Sequence, residues 1–252
     1  MEFRQMKRSL APLLLAVAAL ALSAAGEPPK GYLPAGAHPD GQKILPPPPE
    51  VGSPAWTSEL ARFEATRALE GTPRWAQAIR DTDIYGQEPF RGFSCAAGVK
   101  LGPDTTPVLA SMLLRLIHDA RPLYNPPKDF YARKRPAVGN TAPICVPREP
   151  WIETNGSYPS GHAMLGYSWS LILAELVPDR ATELVIRGRD FGDSRAICGV
   201  HWQSDVEAGR TLAAALVARL HADPGFMSDM ATAKAEVEAA RKLGAPEGCS
   251  GA

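Results

Sequence analysis

The sequence predicts an all-α protein, a single-domain helical bundle. Three observations point there. Capping side chains stand directly before prolines at intervals along the chain. Apolar residues between them recur at helical spacing, and the alternation of a half-buried strand is hard to find.

Taken in order, the chain opens with Arg4, Lys7 and Arg8 before an apolar run from Leu10 to Leu22, followed by Ser23-Ala24-Ala25. A charged start, a short apolar stretch and small residues are the marks of an export signal cut near Ala25, and the run is too short to span a bilayer comfortably. Residues 1–25 are therefore expected to be a signal peptide, leaving a periplasmic or secreted protein. Its removal takes away three basic residues and one acidic one, so the formal net charge falls from 0 to −2. That balance offers no basic footprint for nucleic acid or an anionic membrane. No later apolar stretch suits a membrane span; Ala163–Val177 comes closest and stops at Pro178-Asp179-Arg180.

Residues 26–54 read as a proline-rich arm, including the run Pro46–Pro49. Such a stretch is expected to avoid helix and central strand and to extend, either lying across the domain or as a mobile leader. Residues 55–252 then form the helical domain. Ser53-Pro54, Thr72-Pro73, Thr106-Pro107 and Asp223-Pro224 mark helix starts. Ser204-x-x-Glu207 has the form of a capping box, and Gly71 and Gly244 fall where helices should end. Leu109, Met112, Leu113, Leu116 and Ile117 make one apolar stripe. Ala163–Val177 is apolar nearly all round, as in a helix buried at the centre of a bundle. The alanines of Thr211–Leu220 let neighbouring helices approach closely.

Cys95, Cys145, Cys198 and Cys249 form an even set, suited to disulfides in an exported protein. Four cysteines allow three connectivities. The expectation adopted is Cys95–Cys145 with Cys198–Cys249, against the alternative of a buried, unpaired Cys198. None sits in a C-x-x-C pair, so a zinc site is not expected.

Three short segments carry chemistry: Lys128-x6-Arg135-Pro136; Gly156-Ser-Tyr-Pro-Ser160-Gly161-His162; and Ser194-Arg195-x5-His201-x3-Asp205. Ser160 can cap the buried apolar helix, while Gly161 lets a ligand approach backbone N–H groups at its positive end, an anion site. Taken alone, it is better read as a plain N-cap beside an incidental histidine. Asp205 is close enough in sequence to fix the tautomer of His201 and leave its other nitrogen free, though a structural His–Asp pair has the same spacing. Lys128, Arg135 and Arg195 suit phosphate oxygens, though most such residues are solvated surface charge. Their joint occurrence in this order is what distinguishes them.

These segments resemble the acid phosphatase superfamily that includes bacterial non-specific acid phosphatases, type 2 phosphatidic-acid phosphatases and vanadium haloperoxidases. The stretch Gly156–His162, with Cys198-Gly-Val-His-Trp-Gln-Ser-Asp205, is similar to the class A bacterial enzymes, and the likeness runs from about Asp83 through the last helix. It implies a helical bundle of that superfamily's type and metal-independent hydrolysis of small phosphomonoesters, with broad specificity and no cofactor. Phosphate and vanadate would inhibit, and homo-oligomers are common in the family. It implies that His201 attacks phosphorus, that Asp205 orients it, and that His162 protonates the leaving alcohol and then deprotonates water. Lys128, Arg135, Arg195, Ser160 and Gly161 would bind the phosphate oxygens. Ala163 departs from the threonine of many class A members without removing a catalytic group. His38, His118 and His221 fit no such role and are read as structural or exposed.

Competing readings are a vanadium-dependent haloperoxidase, usually a longer chain, a membrane lipid phosphatase, and a non-catalytic periplasmic phosphate binder. The last would not need His201 and Asp205 alongside His162.

Overall fold

In the computed structural model, residues 30–244 and 246–249 are described; the expected signal peptide lies outside them. Among the described residues there are ten α-helices and no strand. They are α1 Gly41–Ile44, α2 Pro54–Arg67, α3 Pro73–Arg80, α4 Glu88–Ala97, α5 Pro107–Tyr131, α6 Trp151–Thr154, α7 Gly161–Leu176, α8 Ala181–Ile197, α9 Gln203–Leu220 and α10 Pro224–Arg241. None is long and apolar enough to cross a membrane.

The helix starts follow their caps. Ser53 Oγ accepts from Trp56 N–H, Thr72 Oγ1 from Trp75 N–H and Asp223 Oδ1 from Phe226 N–H. Thr106 behaves differently, because its hydroxyl is spent on Gly102. The first N–H groups of α5 go instead to a carboxylate from α10: Val108 N and Leu109 N lie 3.0 and 3.1 Å from the two oxygens of Glu236. The expected capping box at Ser204 is also corrected. Helix α9 begins at Gln203, so Ser204 is already inside it; Asp205, not Glu207, reaches back to the Trp202 N–H at 2.8 Å. Gly71 and Gly244 adopt φ of 77° and 88° a few residues beyond the ends of α2 and α10.

The centre of the bundle is the α7–α8 pair, with α9 packed on α7. Close approach depends on missing side chains. A Cβ on Gly166 would fall 2.2 Å from the Phe191 ring, and one on Gly188 would meet Ser170. Trp169, Phe93 and Phe191 stack edge to face or tilted in the core, and Trp169 Nε1 donates to the Leu113 carbonyl. The whole stripe from Leu109 to Ile117 is buried.

The proline-rich segment departs from expectation in one respect: it contains a helical turn, α1, whose N–H groups are capped by Asp40. The described part of it rests on α5 at two places. Tyr32 N and Leu33 N donate to the buried carboxylate of Asp119, and a Cβ on Gly41 would collide with the Leu123 carbonyl. That carbonyl loses its helical partner because Pro127 has no N–H, which lets the arm seat directly on the helix.

Both expected disulfide pairs are corrected. Cys95 bonds Cys249, and Cys145 bonds Cys198, with Cα atoms 5.3 and 4.7 Å apart. The cause is tertiary: the C-terminal segment returns to α4, and the loop before α6 folds back on the end of α8, where Cys145 N donates to the Cys198 carbonyl.

Candidate active site

Five places in the fold supply one cleft of about 370 Å³. The last turn of α5 presents Lys128. The extended segment after it carries Arg135, and the start of α7 carries Gly161 and His162. The last turn of α8 carries Arg195, and the turn into α9 carries His201; all six line the cleft. Ser160 and Asp205 sit directly behind, each fully buried. The structure thus brings together every residue singled out from the sequence.

Local structure explains each placement. Helix α5 stops at Ala132, which takes a left-handed φ of 43° and closes on the Lys128 carbonyl. Arg133 O then accepts from Ser157 N at 2.8 Å, pairing the segment before Arg135 with the one before α7. Gly156 lies so close to the Lys128 carbonyl that a Cβ would sit 2.4 Å from it. Ser160 Oγ caps α7 by accepting from Ala163 N–H, and Ser160 N donates to the Asp205 carbonyl. Helix α9 passes close by, since a Cβ on Gly209 would be 2.5 Å from the Ser160 carbonyl.

The electrostatics are unusual. Lys128, Arg135 and Arg195 are 5%, 4% and 3% exposed, where lone cations are strongly disfavoured. Burial, with mutual repulsion added, pushes Lys128 down to about 7 and Arg195 down to about 9; burial alone brings Arg135 down to about 10. Lys128 Nζ donates to the Gly156 carbonyl at 2.7 Å, and Arg135 is braced by the carbonyl and side chain of Asn155. Arg195 differs: its Nε and Nη1 are buried and meet no hydrogen-bond acceptor among the described residues. Three buried cations aimed into one cleft, one with uncommitted donors, form a site for a multiply charged oxyanion.

The histidines are equally constrained. His201 Nδ1 lies 3.2 Å from Asp205 Oδ2 and Nε2 lies 3.0 Å from Arg135 Nη1. A guanidinium only donates, so Nε2 carries the lone pair and Nδ1 the proton. Nε2 of His162 lies 3.2 Å from the Thr82 carbonyl, which only accepts. That assigns its proton to Nε2 and leaves Nδ1 able to take one up. Burial and the neighbouring cations hold both histidines well below the usual imidazole range.

Comparison with known proteins agrees. Residues 105–226 match the PAP2 superfamily. The chain is 41% identical over 205 residues to the acid phosphatase of Zymomonas mobilis, covering 81% of this chain and 78% of that one. It is 40% identical over 198 residues to the non-specific acid phosphatase of Salmonella typhimurium (78% and 79%) and 37% identical over 205 residues to that of Providencia stuartii (81% and 83%). The chain belongs to the class A acid phosphatases of the PAP2 superfamily. It is a phosphatase.

Several residues of the phosphatase site escaped the sequence reading. Asp205 is held by Arg133 Nη1 at 2.6 Å and by the Ser157 hydroxyl, besides His201 and Trp202 N–H. Arg133 in turn contacts Glu59 at 2.6 Å. Behind Arg195, Ser194 Oγ lies 2.6 Å from Asp81 Oδ2, and Asp81 also pairs with Arg187. Thr82, Tyr124, Asn155 and Trp151 also line the cleft. Arg133 and Ser157 fall inside the quoted segments, but nothing in their spacing separates them from spacer residues. Glu59 and Asp81 come from other helices and left no sequence signal. Of the remaining histidines, His38 is nearly buried beside Asp119 at 3.4 Å, and His221 bridges Val217 O and Glu175; neither lines the cleft.

Proposed function

We propose that the enzyme is exported and hydrolyses a broad range of phosphomonoesters through a phosphohistidine. The observation that carries this is the pinned tautomer of His201, with its Nε2 lone pair in the same cleft as three buried cations and a second histidine. The phosphoryl oxygens take donors from Lys128, Arg135, Arg195, the Ser160 hydroxyl and the Gly161 N–H at the start of α7. Binding draws Arg135 Nη1 from Nε2 to an oxygen and frees the lone pair. His201 Nε2 attacks, the N–P bond forms as the P–O bond of the ester breaks, and Asp205 stabilises the positive imidazole. His162 gives its proton to the departing alkoxide. Water then attacks phosphorus, the N–P bond breaks, and the water's proton goes to His162. The chemistry asks for positioning and charge stabilisation, which the cations provide.

Burial and then repulsion from Arg195, Lys128 and Arg135 depress His162, and a bound phosphate dianion offsets the repulsion. Substrate therefore favours the protonated state that a general acid needs. Around the ester group the cleft offers Tyr124, Val146, Pro147 and Trp151 with Glu149 at the rim, a mixed surface suited to many alcohols. The leader at residues 1–25 supports export, and the phosphatase names of the relatives favour hydrolysis over haloperoxidation.

The test is rapid-quench labelling of His162→Ala with an activated aryl phosphate. Phosphate on His201 is expected. Label on His162 in the unmodified enzyme, or none on His201 in any variant, overturns the mechanism.

A further inference from the structure

Asp205 has no exposed surface and sits among groups from several elements. From its own turn come His201 Nδ1 and the Trp202 N–H. From the segment before α7 come the Ser157 hydroxyl and, at longer range, the Tyr158 phenol. Lys128 of α5 and Arg135 act on it through space. One full charge touches it directly: Arg133 Nη1, 2.6 Å from Oδ1. That guanidinium is itself 10% exposed, spans from Asp205 and Ser204 Oγ to Glu59 Oε2, and lies over the Trp202 ring. Glu59, on α2, also accepts from Ser204 N at 2.7 Å, which ties α2 to the start of α9.

We propose that Arg133, anchored by Glu59, is a positioning residue for the reaction: its ion pair with Asp205 holds the carboxylate that holds His201, and so sets the acid limit of activity. This rests on the reading of His201 as nucleophile. A buried carboxyl tends to take up a proton, and burial does push Asp205 up, with Arg133 the foremost influence opposing it. Once protonated, Asp205 no longer offers a negative charge to the imidazole as positive charge develops there during attack. An enzyme working in acid therefore needs something other than solvent to keep Asp205 ionised. Lys128 and Arg135 are committed to the phosphoryl group, whereas Arg133 faces the carboxylate and does not line the cleft. The sign is definite. Removing an adjacent positive charge raises the carboxyl pKa, so the acid limb of activity moves to higher pH. Removing the negative charge of Glu59 frees more of the Arg133 field for Asp205, so the limb moves the other way.

The experiment is the pH dependence of kcat for p-nitrophenyl phosphate, since kcat reports groups in the enzyme–substrate complex. Arg133→Gln is expected to shift the acid limb upward by about 1–3 pH units, the range for losing an adjacent opposite charge. Arg133→Lys, which keeps the charge, is expected to recover most of that shift. Glu59→Gln removes the charge while keeping one of the two acceptor oxygens, and is expected to move the limb downward by a smaller amount. An unmoved limb in Arg133→Gln overturns the proposal, as does a shift in Arg133→Lys equal to that in Arg133→Gln. If Arg133→Gln does not fold, Glu59→Gln decides: downward supports the proposal, unmoved or upward overturns it. Quench labelling of His162→Ala with the activated aryl phosphate separates the two failures. Phosphate on His201 with unmoved limbs sinks only the Arg133 role, whereas absence of the label sinks the reading beneath it.

Discussion

Replacing Arg195 with methionine separates function from stability, and the structure supplies both magnitudes. Nε and Nη1 of Arg195 are buried donors with no acceptor among the described residues. Each, on a phosphoryl oxygen, makes a charge-assisted hydrogen bond worth about 1.5–3 kcal/mol. Losing two weakens transition-state binding by about 3–6 kcal/mol, or about 10²–10⁴-fold in kcat/KM. Stability moves oppositely. Burial, then Arg135, brings the guanidinium down to about 9 while Asp81 opposes them, so its charged form is disfavoured in the folded ligand-free enzyme. A base depressed in the folded state costs stability fully at pH values below that folded pKa, which includes the whole acid range. Methionine keeps a long apolar stem and removes the charge, as when buried ions are replaced by apolar side chains of similar volume. Relief of only 1 kcal/mol raises Tm by about 2–4 °C in a chain of this size. The assays are kcat/KM on p-nitrophenyl phosphate and thermal unfolding with and without phosphate. Phosphate is expected to raise the Tm of the unmodified enzyme and to do little for the variant. A loss below tenfold in kcat/KM, or a variant that melts earlier than its parent without phosphate, would refute the reasoning.

Two further outcomes follow from the same geometry. His162→Ala is expected to slow alkyl phosphates by about 10²–10⁴-fold and p-nitrophenyl phosphate far less, because nitrophenolate leaves without a proton; equal losses on both would remove His162 as the acid. Dialysis against EDTA is expected to leave hydrolysis intact, because Lys128, Arg135 and Arg195 supply the positive charge; activity lost and then restored by magnesium or zinc would contradict that role.

Local rules made much of the fold legible. Ser53, Thr72 and Asp223 cap where a capping residue before proline predicts, because that signal needs only four consecutive residues. Capping logic failed at Thr106 and Ser204, where other carboxylates took over: Glu236 satisfies the start of α5, and at the start of α9 Asp205 accepts from Trp202 N while Glu59 accepts from Ser204 N. The disulfides failed for a related reason. Pairing depends on where helix ends meet in space, and nothing near Cys145 in the sequence indicates that its loop returns to Cys198. In the site, the charged and histidine side chains spaced within three short segments were readable, and the supporting groups supplied by other elements were not. His201 and Asp205 sit on one turn, so their spacing shows; Glu59 is separated from Asp205 by most of the chain and reaches it only through Arg133.

Two buried carboxylates divide the support of the site between them. Asp205 gathers His201, Arg133 and Ser157, while Ser160 N donates to its carbonyl, so one residue joins His201 to the start of α7. Asp81, at the end of α3, takes Ser194 and Arg187, and the next residue presents its carbonyl to His162. The second carboxylate therefore joins the Arg195 turn to the other histidine. Neither lines the cleft, and each offsets the cations that face it only through space, Asp205 acting on Lys128 and Arg135 and Asp81 on Arg195. A carboxylate in the cleft would relieve Lys128 and Arg195, but it would also repel phosphate. By placing both anions behind the reacting groups, the fold fixes the histidines while leaving the positive field directed at the ligand. Preorganised charge of this kind needs no rearrangement when the phosphoryl group becomes more negative in the transition state. The same arrangement leaves the cation cluster without full compensation in the ligand-free enzyme, a local conflict that belongs at a functional site.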